Sequence, residues 1–219
     1  MKVSILMLTH NAPRFVKESI ETVKEKTRGI EYELIVVDNA SRITTKLLLR
    51  YLKAKGLIDV LYLNKENSLF AKGNNIASSY CSSDSNLILL LNSDIRINSD
   101  DWLQKLAELH PSKGGIASYG VVEDEPYRAD GYCMLIDREL YDKYKLDEEF
   151  AWFWSVTKLQ SLVLKEGKSI NAVRNHEEYI HHYGGKSGKG FKNAAGMGIN
   201  ISDVKAWFTK GTIDIIDKL

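Results

Sequence analysis

The apolar run at residues 87–91, "LILLL", constrains the fold more than any other stretch of this chain. Five apolar residues without polar alternation read as a strand buried on both faces, and such strands belong to parallel sheets covered by helices on either side. "VSILML" (3–8) and "YELIVVD" (32–38) fit the same description, and "DVLYLN" (59–64) is a shorter version. Between them lie helical patterns. Residues 13–26 place Pro13 at a helix start and Phe15, Val16, Ile20 and Val23 on one face; 45–56 stop at Gly56; 70–81 follow the third strand. Strands alternating with helices of this length predict βαβ units with right-handed crossovers, an α/β fold with a mainly parallel sheet. Further on, the pattern predicts a helix over 100–109 capped by Ser99 or Asp100, strands at 114–120 and 132–136, helices at 138–144 and 150–167, and a strand at 168–173. A Gly- and Lys-rich loop follows near 184–190, and then an amphipathic helix over 202–219 with Gly211 as its weak point.

Length and composition narrow the class. At 219 residues the expectation is one domain, or one domain and a tail, and 44% hydrophobic residues can bury a core. A net charge of +1 provides no field to attract nucleic acid. Cys81 and Cys133 match no metal spacing and read as free thiols of a reducing compartment. The first apolar run is six residues long and meets a polar turn, unlike a signal peptide, and no stretch approaches the ~20 apolar residues of a spanning helix. The expectation is a cytoplasmic protein, with peripheral membrane contact as the variant.

Three of the strands end in small polar clusters: Thr9-His10-Asn11, Asp38-Asn39-Ala40-Ser41 and Asn92-Ser93-Asp94. Each alone is a turn sequence, and an Asx turn accounts for Asp94. In a parallel sheet the three share one edge, where open α/β sheets keep their ligands, so a metal or phosphate site accounts for it too. "NSLFAKGNN" (67–75) joins a strand to a helix, where Gly73, Asn74 and Asn75 place donors suited to an anion. It is neither a P-loop nor G-x-G-x-x-G, and a helix start rich in small residues explains it equally.

Taken together these segments resemble the family-2 type of glycosyltransferases with the GT-A fold. "VSILMLTHN" resembles that family's opening strand, and "IVVDNAS" its second strand end. "NSLFAKGNN" resembles N-x-G-F-A-x-G-N-N, with Leu69 where glycine is usual, and "LLLNSDI" the divalent-metal motif. "DGYCMLIDREL", "LDEEFAWFW" and "IHHYGGKS" resemble later segments, in the family's order, out to residue 187. The resemblance implies a GT-A-like three-layer α/β/α sandwich over 1–190, with a donor-binding half at about 1–98, an acceptor-side half at about 99–190, and an amphipathic tail at 191–219. It implies metal-dependent transfer of a sugar, with inversion, from a nucleotide-diphosphate donor to a hydroxyl of a glycan, protein or lipid-linked acceptor. Asp38 would sit near the nucleobase, and Asp94 would bind a divalent cation. Asn74 or Asn75 would border the donor, and His182 would reach the metal or diphosphate. Thr9, Asn11, Asn67, Lys72, Asn92 and Ser93 complete the expected donor side; Asp130, Gly131, Trp152 and Trp154 the acceptor side. One carboxylate with diphosphate oxygens suits Mg²⁺, and an imidazole ligand would favour Mn²⁺. Lys186 and Lys189 either close over the diphosphate or form a solvated basic loop.

The departure from the family's pattern is equally informative. Its acceptor-side motif, W-E-D-x-D-L-x-x-R, falls on Trp154-Ser155-Val156-Thr157-Lys158-Leu159-Gln160-Ser161-Leu162, which contains no carboxylate. A general base contributes about 10²–10⁴ of total accelerations of about 10⁶–10¹⁷, so its loss need not end catalysis. Asp147, Glu148, Glu149 or Asp130 would then substitute, or the enzyme is slow, or the chain binds nucleotide sugar or glycan without transfer. A nucleotidyltransferase is a weaker alternative, because its basic glycine-rich N-terminal signature is absent. Tyr144, Phe150, Trp152, Phe153 and Trp154 form an aromatic cluster that either stacks on sugar or fills the core. The tail sets Val204, Trp207, Phe208, Ile213, Ile215 and Ile216 among charges, which suits packing on the domain, a second copy in a homodimer, or a membrane surface.

Overall fold

The computed structural model describes residues 1–150, 152–186, 198–209 and 211–219. Three βα units open the chain: β1 (Lys2–Thr9), α1 (Pro13–Lys26), β2 (Glu31–Asp38), α2 (Ile43–Ala54), β3 (Val60–Leu63) and α3 (Leu69–Ser78). The apolar run becomes β4 (Leu87–Asn92), followed by β5 (Ile95–Ile97) and α4 (Trp102–Leu109). Then come β6 (Gly115–Tyr119), β7 (Val121–Val122), β8 (Arg128–Ala129), β9 (Cys133–Asp137), α5 (Arg138–Tyr144) and α6 (Phe153–Lys165). The chain closes with β10 (Ser169–Val173), β11 (Ile180–His182), α7 (Ile201–Trp207) and β12 (Asp214–Ile216).

Eight strands form the central sheet in the order β12-β10-β6-β9-β4-β1-β2-β3. Every pairing is parallel except the two made by β9, which runs against β4 and β6. The apolar runs behave as doubly covered strands must. Val3, Ile5, Met7, Leu87, Leu89 and Leu91 face a layer containing α1, α2 and α4, whereas Leu6, Ile35, Val37, Ile88 and Leu90 face α3, α5 and α6. This is the α/β/α sandwich, with apolar cores on both faces of the sheet. Leu89 is fully buried, and truncating such a side chain to Ala costs about 2–5 kcal/mol.

Three local expectations are corrected. The residue preceding α4 is Asp101, not Ser99 or Asp100, and its side chain caps nothing; the Ser99 hydroxyl donates to it instead. α6 starts at Phe153 rather than 150. The expected tail helix is confined to Ile201–Trp207, with Asn200 as its cap, and residues 214–216 instead extend the sheet as β12, parallel to β10. The positive φ of Gly211 (89°) lies between the two elements, and the β-branched Ile213, Ile215 and Ile216 suit a strand better than a helix.

Candidate functional site

The carboxyl ends of β1, β2 and β4 lie in register, with Thr9 beside Asp38 and Leu8 beside Asn92. Above this edge opens a cavity of about 770 Å³. Of the residues expected on the donor side, Thr9, Asn67, Asn74, Asn92, Ser93 and Asp94 line it, as do Asp130, Gly131, Trp152 and His182. Asp38, Asn11, Lys72, Asn75 and Trp154 do not line it, and neither do Asp147, Glu148 or Glu149.

Asp94 is 1% exposed, although it sits at the cavity wall. Its backbone is pinned from two sides. The Ser19 hydroxyl on α1 bonds the Ser93 and Ile95 carbonyls (2.9 and 2.8 Å) and accepts from Ile95 N–H at 3.0 Å. β11 pairs antiparallel with β5, setting His182 opposite Ile95, and Tyr183 N–H donates to the Asp94 carbonyl at 3.0 Å. Gly184 and Gly185, both at positive φ (66° and 62°), then turn the chain so that Lys186 N–H meets Asp94 Oδ2 at 3.0 Å. Asp94 Oδ1 has no hydrogen-bond partner, and His182 Nε2 stands 3.4 Å from it. The imidazole stacks on Tyr132 at 4.2 Å between ring centroids, and its Nε2 also lies 3.3 Å from Asn92 Nδ2. Burial pushes the Asp94 carboxyl up, but His182 and the Lys186 N–H outweigh it, so the group stays below its ordinary value. A buried carboxylate oxygen without a hydrogen bond, next to an imidazole nitrogen, suits a divalent cation. Among the described residues no cluster of three or more His, Cys, Asp or Glu forms a metal cage, so water or ligand oxygens would have to complete the shell.

Asp38 is fully buried with both oxygens engaged: Oδ1 accepts from the Thr9 hydroxyl at 3.2 Å and Oδ2 from Ser41 N–H at 3.1 Å. The neighbouring residue in the cavity wall is Asn39. Asn39 Nδ2 donates to the Leu69 carbonyl at 3.0 Å, and Asn39 Oδ1 accepts from Asn64 Nδ2 (2.9 Å) and the Ser68 hydroxyl (2.7 Å). Asn11 ties turns together: its N–H donates to Ser41 Oγ (2.7 Å), and its Oδ1 accepts from Arg42 N–H (2.9 Å). Lys72 lies on the surface, 3.7 Å from Glu66. Gly73 faces the sheet rather than a ligand, and a Cβ there would lie 2.5 Å from Leu8 Cδ1. Leu69, where the resemblance expects glycine, lines the cavity at φ +60°, a conformation costly for a side chain with a Cβ.

Asn74 donates to the Phe70 carbonyl at 3.0 Å and remains in the cavity wall. Asn75 is used structurally. Its amide donates to the Leu146 carbonyl (2.8 Å) and Glu148 Oε1 (3.0 Å), and its oxygen accepts from Tyr141 OH and Leu146 N–H. Asp147 pairs with the Lys158 ammonium and accepts from Glu149 N–H. Burial raises the Asp147 carboxyl, and the lysine more than compensates, leaving it below its ordinary value. Trp152 meets Phe70 edge-on at 5.9 Å inside the cavity, whereas Trp154 is turned into the core under the Arg128 guanidinium. Lys189 and Ser187 lie outside the described residues.

Sequence reasoning did not single out His10, Asn39, Phe70 or Arg128 as cavity residues, nor Ser19 as the anchor of the Asp94 turn. His10 and Asn39 stand inside the quoted strand-end clusters. Ser19 was visible as a polar residue within the apolar stripe of α1, beside Val16, Ile20 and Val23. Arg128 carries no local signal.

The family model described as "Glycosyl transferase family 2" matches residues 4–156. Among solved structures, the chain is similar to the mannosyltransferase PcManGT from Pyrobaculum calidifontis in complex with GDP-Man and Mn²⁺. The identity is 16% and the TM-score 0.67, over 79% of this chain and 55% of that one. It is also similar to S. aureus TarS residues 1–349 in complex with UDP, at 16% identity and TM-score 0.60, over 75% of this chain and 55% of that one. S. aureus TarS itself matches at 16% identity and TM-score 0.62, over 83% of this chain and 36% of that one. The chain thus spans about half the length, or less, of these structures, and at such identities the likeness is one of fold. No curated protein sequence matches.

Proposed function

The chain belongs to glycosyl transferase family 2, and from that premise we propose that it transfers a sugar from a nucleotide-diphosphate donor to a hydroxyl acceptor, with a divalent cation held between Asp94 and His182. The observation that carries this reading is the buried Asp94 Oδ1, left without a hydrogen bond on the cavity wall 3.4 Å from His182 Nε2. The bound cation would neutralise charge growing on the departing diphosphate. The chain's own residues do the rest. Thr9, Asn67, Asn74 and Asn92, all in the cavity wall, border the donor, and the Lys186 N–H holds the other Asp94 oxygen. The imidazole makes Mn²⁺ the better fit over Mg²⁺. Inversion at the anomeric carbon, an acceptor that is a glycan, a protein or a lipid-linked hydroxyl, and residence in the cytoplasm or at a membrane surface all belong to the proposal. Among the described residues, no helix is long and apolar enough to cross a membrane.

Thermal melting with UDP or GDP tests the donor site. We expect a rise in melting temperature that needs Mn²⁺ or Mg²⁺ and disappears in Asp94→Ala; no nucleotide-dependent rise in either cation defeats the reading. A second reading is nucleotide-sugar or glycan binding without transfer. It rests on Ser155, Val156 and Lys158 at the positions where the family's acids are expected. It predicts the same melting shift with no release of nucleoside diphosphate from any donor.

A further inference from the structure

We propose that Asp130 is the general base of the transfer reaction, replacing the acid that α6 lacks; this rests on the donor-site reading above. The argument begins with elimination. Asp94 and Asp130 are the two carboxylates in the wall of the 770 Å³ cavity among the described residues, and residues 151, 187–197 and 210 include no Asp or Glu. Asp94 is the cation's residue. Asp147 is paired with Lys158, Glu148 holds Asn75, and neither they nor Glu149 reach the cavity.

Position supports the same choice. Val156 fills one of the places where α6 would offer an acid, and its methyl groups press on Gly131, where a Cβ would lie 2.9 Å from Val156 Cγ1. Asp130 therefore stands one residue from the vacated spot, on the facing segment. Its backbone is held on both sides: Ser118 Oγ donates to its carbonyl at 2.7 Å, and its N–H donates to the Gly120 carbonyl at 3.0 Å. Gln160 of α6 clamps the preceding Ala129, donating to its carbonyl (2.9 Å) and accepting from its N–H (2.8 Å). The helix without an acid thus positions the residue that supplies one. The carboxylate accepts only a long bond from Tyr132 N–H (3.4 Å), and among the described residues no Lys, Arg or His forms an ion pair with it.

A second cavity of about 540 Å³ shares Asp130, Tyr132 and His182 with the first, and the rest of its wall is formed by Gly120, Val121, Glu123, Arg174, His176 and Glu177. Its other acids are occupied, Glu123 by Arg174 and Glu177 by His181. Asp130 lies where the two cavities meet, between a donor in the first and a hydroxyl arriving through the second. The carboxylate takes the hydroxyl proton as the oxygen bonds to the anomeric carbon. The bond from that carbon to the diphosphate breaks, and its electron pair leaves on the diphosphate.

The test measures release of nucleoside diphosphate from UDP-glucose, UDP-N-acetylglucosamine and GDP-mannose with Mn²⁺, water serving as acceptor, alongside titration with UDP and GDP. Asp130→Asn is expected to lower kcat by about 10²–10⁴-fold while nucleotide affinity and the nucleotide-dependent melting shift stay those of the wild type. In Asp130→Ala, sodium azide, an anion that attacks without giving up a proton, is expected to restore turnover as glycosyl azide, which a structural role would not predict. Full turnover in Asp130→Asn, or loss in Glu148→Gln instead, overturns the assignment. A wild type that binds nucleotide but releases none from any donor overturns the base and leaves donor binding standing. A wild type that binds no nucleotide overturns both.

Discussion

Leu69 shows how a single backbone angle links chemistry to stability. Its φ of +60° places a Cβ in the left-handed region, at a cost of about 1–2 kcal/mol. Its carbonyl is held there by Asn39, and its side chain forms part of the cavity wall. In urea melts Leu69→Gly is expected to be more stable than Leu69→Val by about 1–2 kcal/mol, because a β-branched side chain is least tolerated at this angle. The reverse order would show that the angle carries no strain. Ser19 makes a comparable case. Ser19→Ala leaves the buried Ile95 N–H without its acceptor, which costs about 1–3 kcal/mol and loosens the turn holding Asp94. In sequence Ser19 shows only as a polar residue in the apolar stripe of α1, and Leu69 gives less. Leucine is a poor choice at positive φ, so nothing in its identity points there. The strand-end clusters were legible as clusters, but which member lines the cavity depends on the turn: Asp38 is consumed by Thr9 and Ser41, and Asn39 is in the cavity wall.

Helices and strands carry the next set of effects. α6 touches the β8–β9 connection through Val156 on Gly131, so Gly131→Ala overpacks the contact by about 1–3 kcal/mol. Val156→Ala in the same chain should recover part of that loss, as a double-mutant cycle by chemical denaturation would read. At the approach to α6, Asp147 and Lys158 form an ion pair that holds the carboxyl below its ordinary value of 3.8. A carboxyl depressed on folding adds stability above its unfolded value, and that stability is lost as the pH falls through its folded value. The difference between wild type and Asp147→Asn should therefore be full near neutral pH and shrink below about pH 4. Elements of the first half were legible because doubly buried strands leave unbroken apolar runs. The reversal of β9, the pairing of β11 with β5 and the return of β12 to the sheet were not. Each depends on which distant strand offers an open edge, and short segments such as Ile180–His182 carry no periodicity of their own.

For the whole molecule, two cores share one sheet, and Cys133, the first residue of the inner strand β9, is fully buried. Burial pushes its thiol well up, with the Asp130 charge adding to the effect, and Cys81, only half-buried, is raised less. Thiol labelling followed by mass spectrometry should modify Cys81 first and Cys133 only at the rate of global opening. Early labelling of Cys133 would mean that the sheet parts before the molecule unfolds. The same strand has a wider effect. Its neighbours deliver their carboxyl ends to the rim of the cavity, whereas β9, running the other way, brings its beginning there, with Asp130 and Gly131 just ahead of it. One reversed ribbon thus lets two independent stretches of chain meet at a single mouth. Under the proposed function, the approach to that strand could be lengthened or redecorated, and the acceptor changed, without disturbing the strands that would grip the nucleotide.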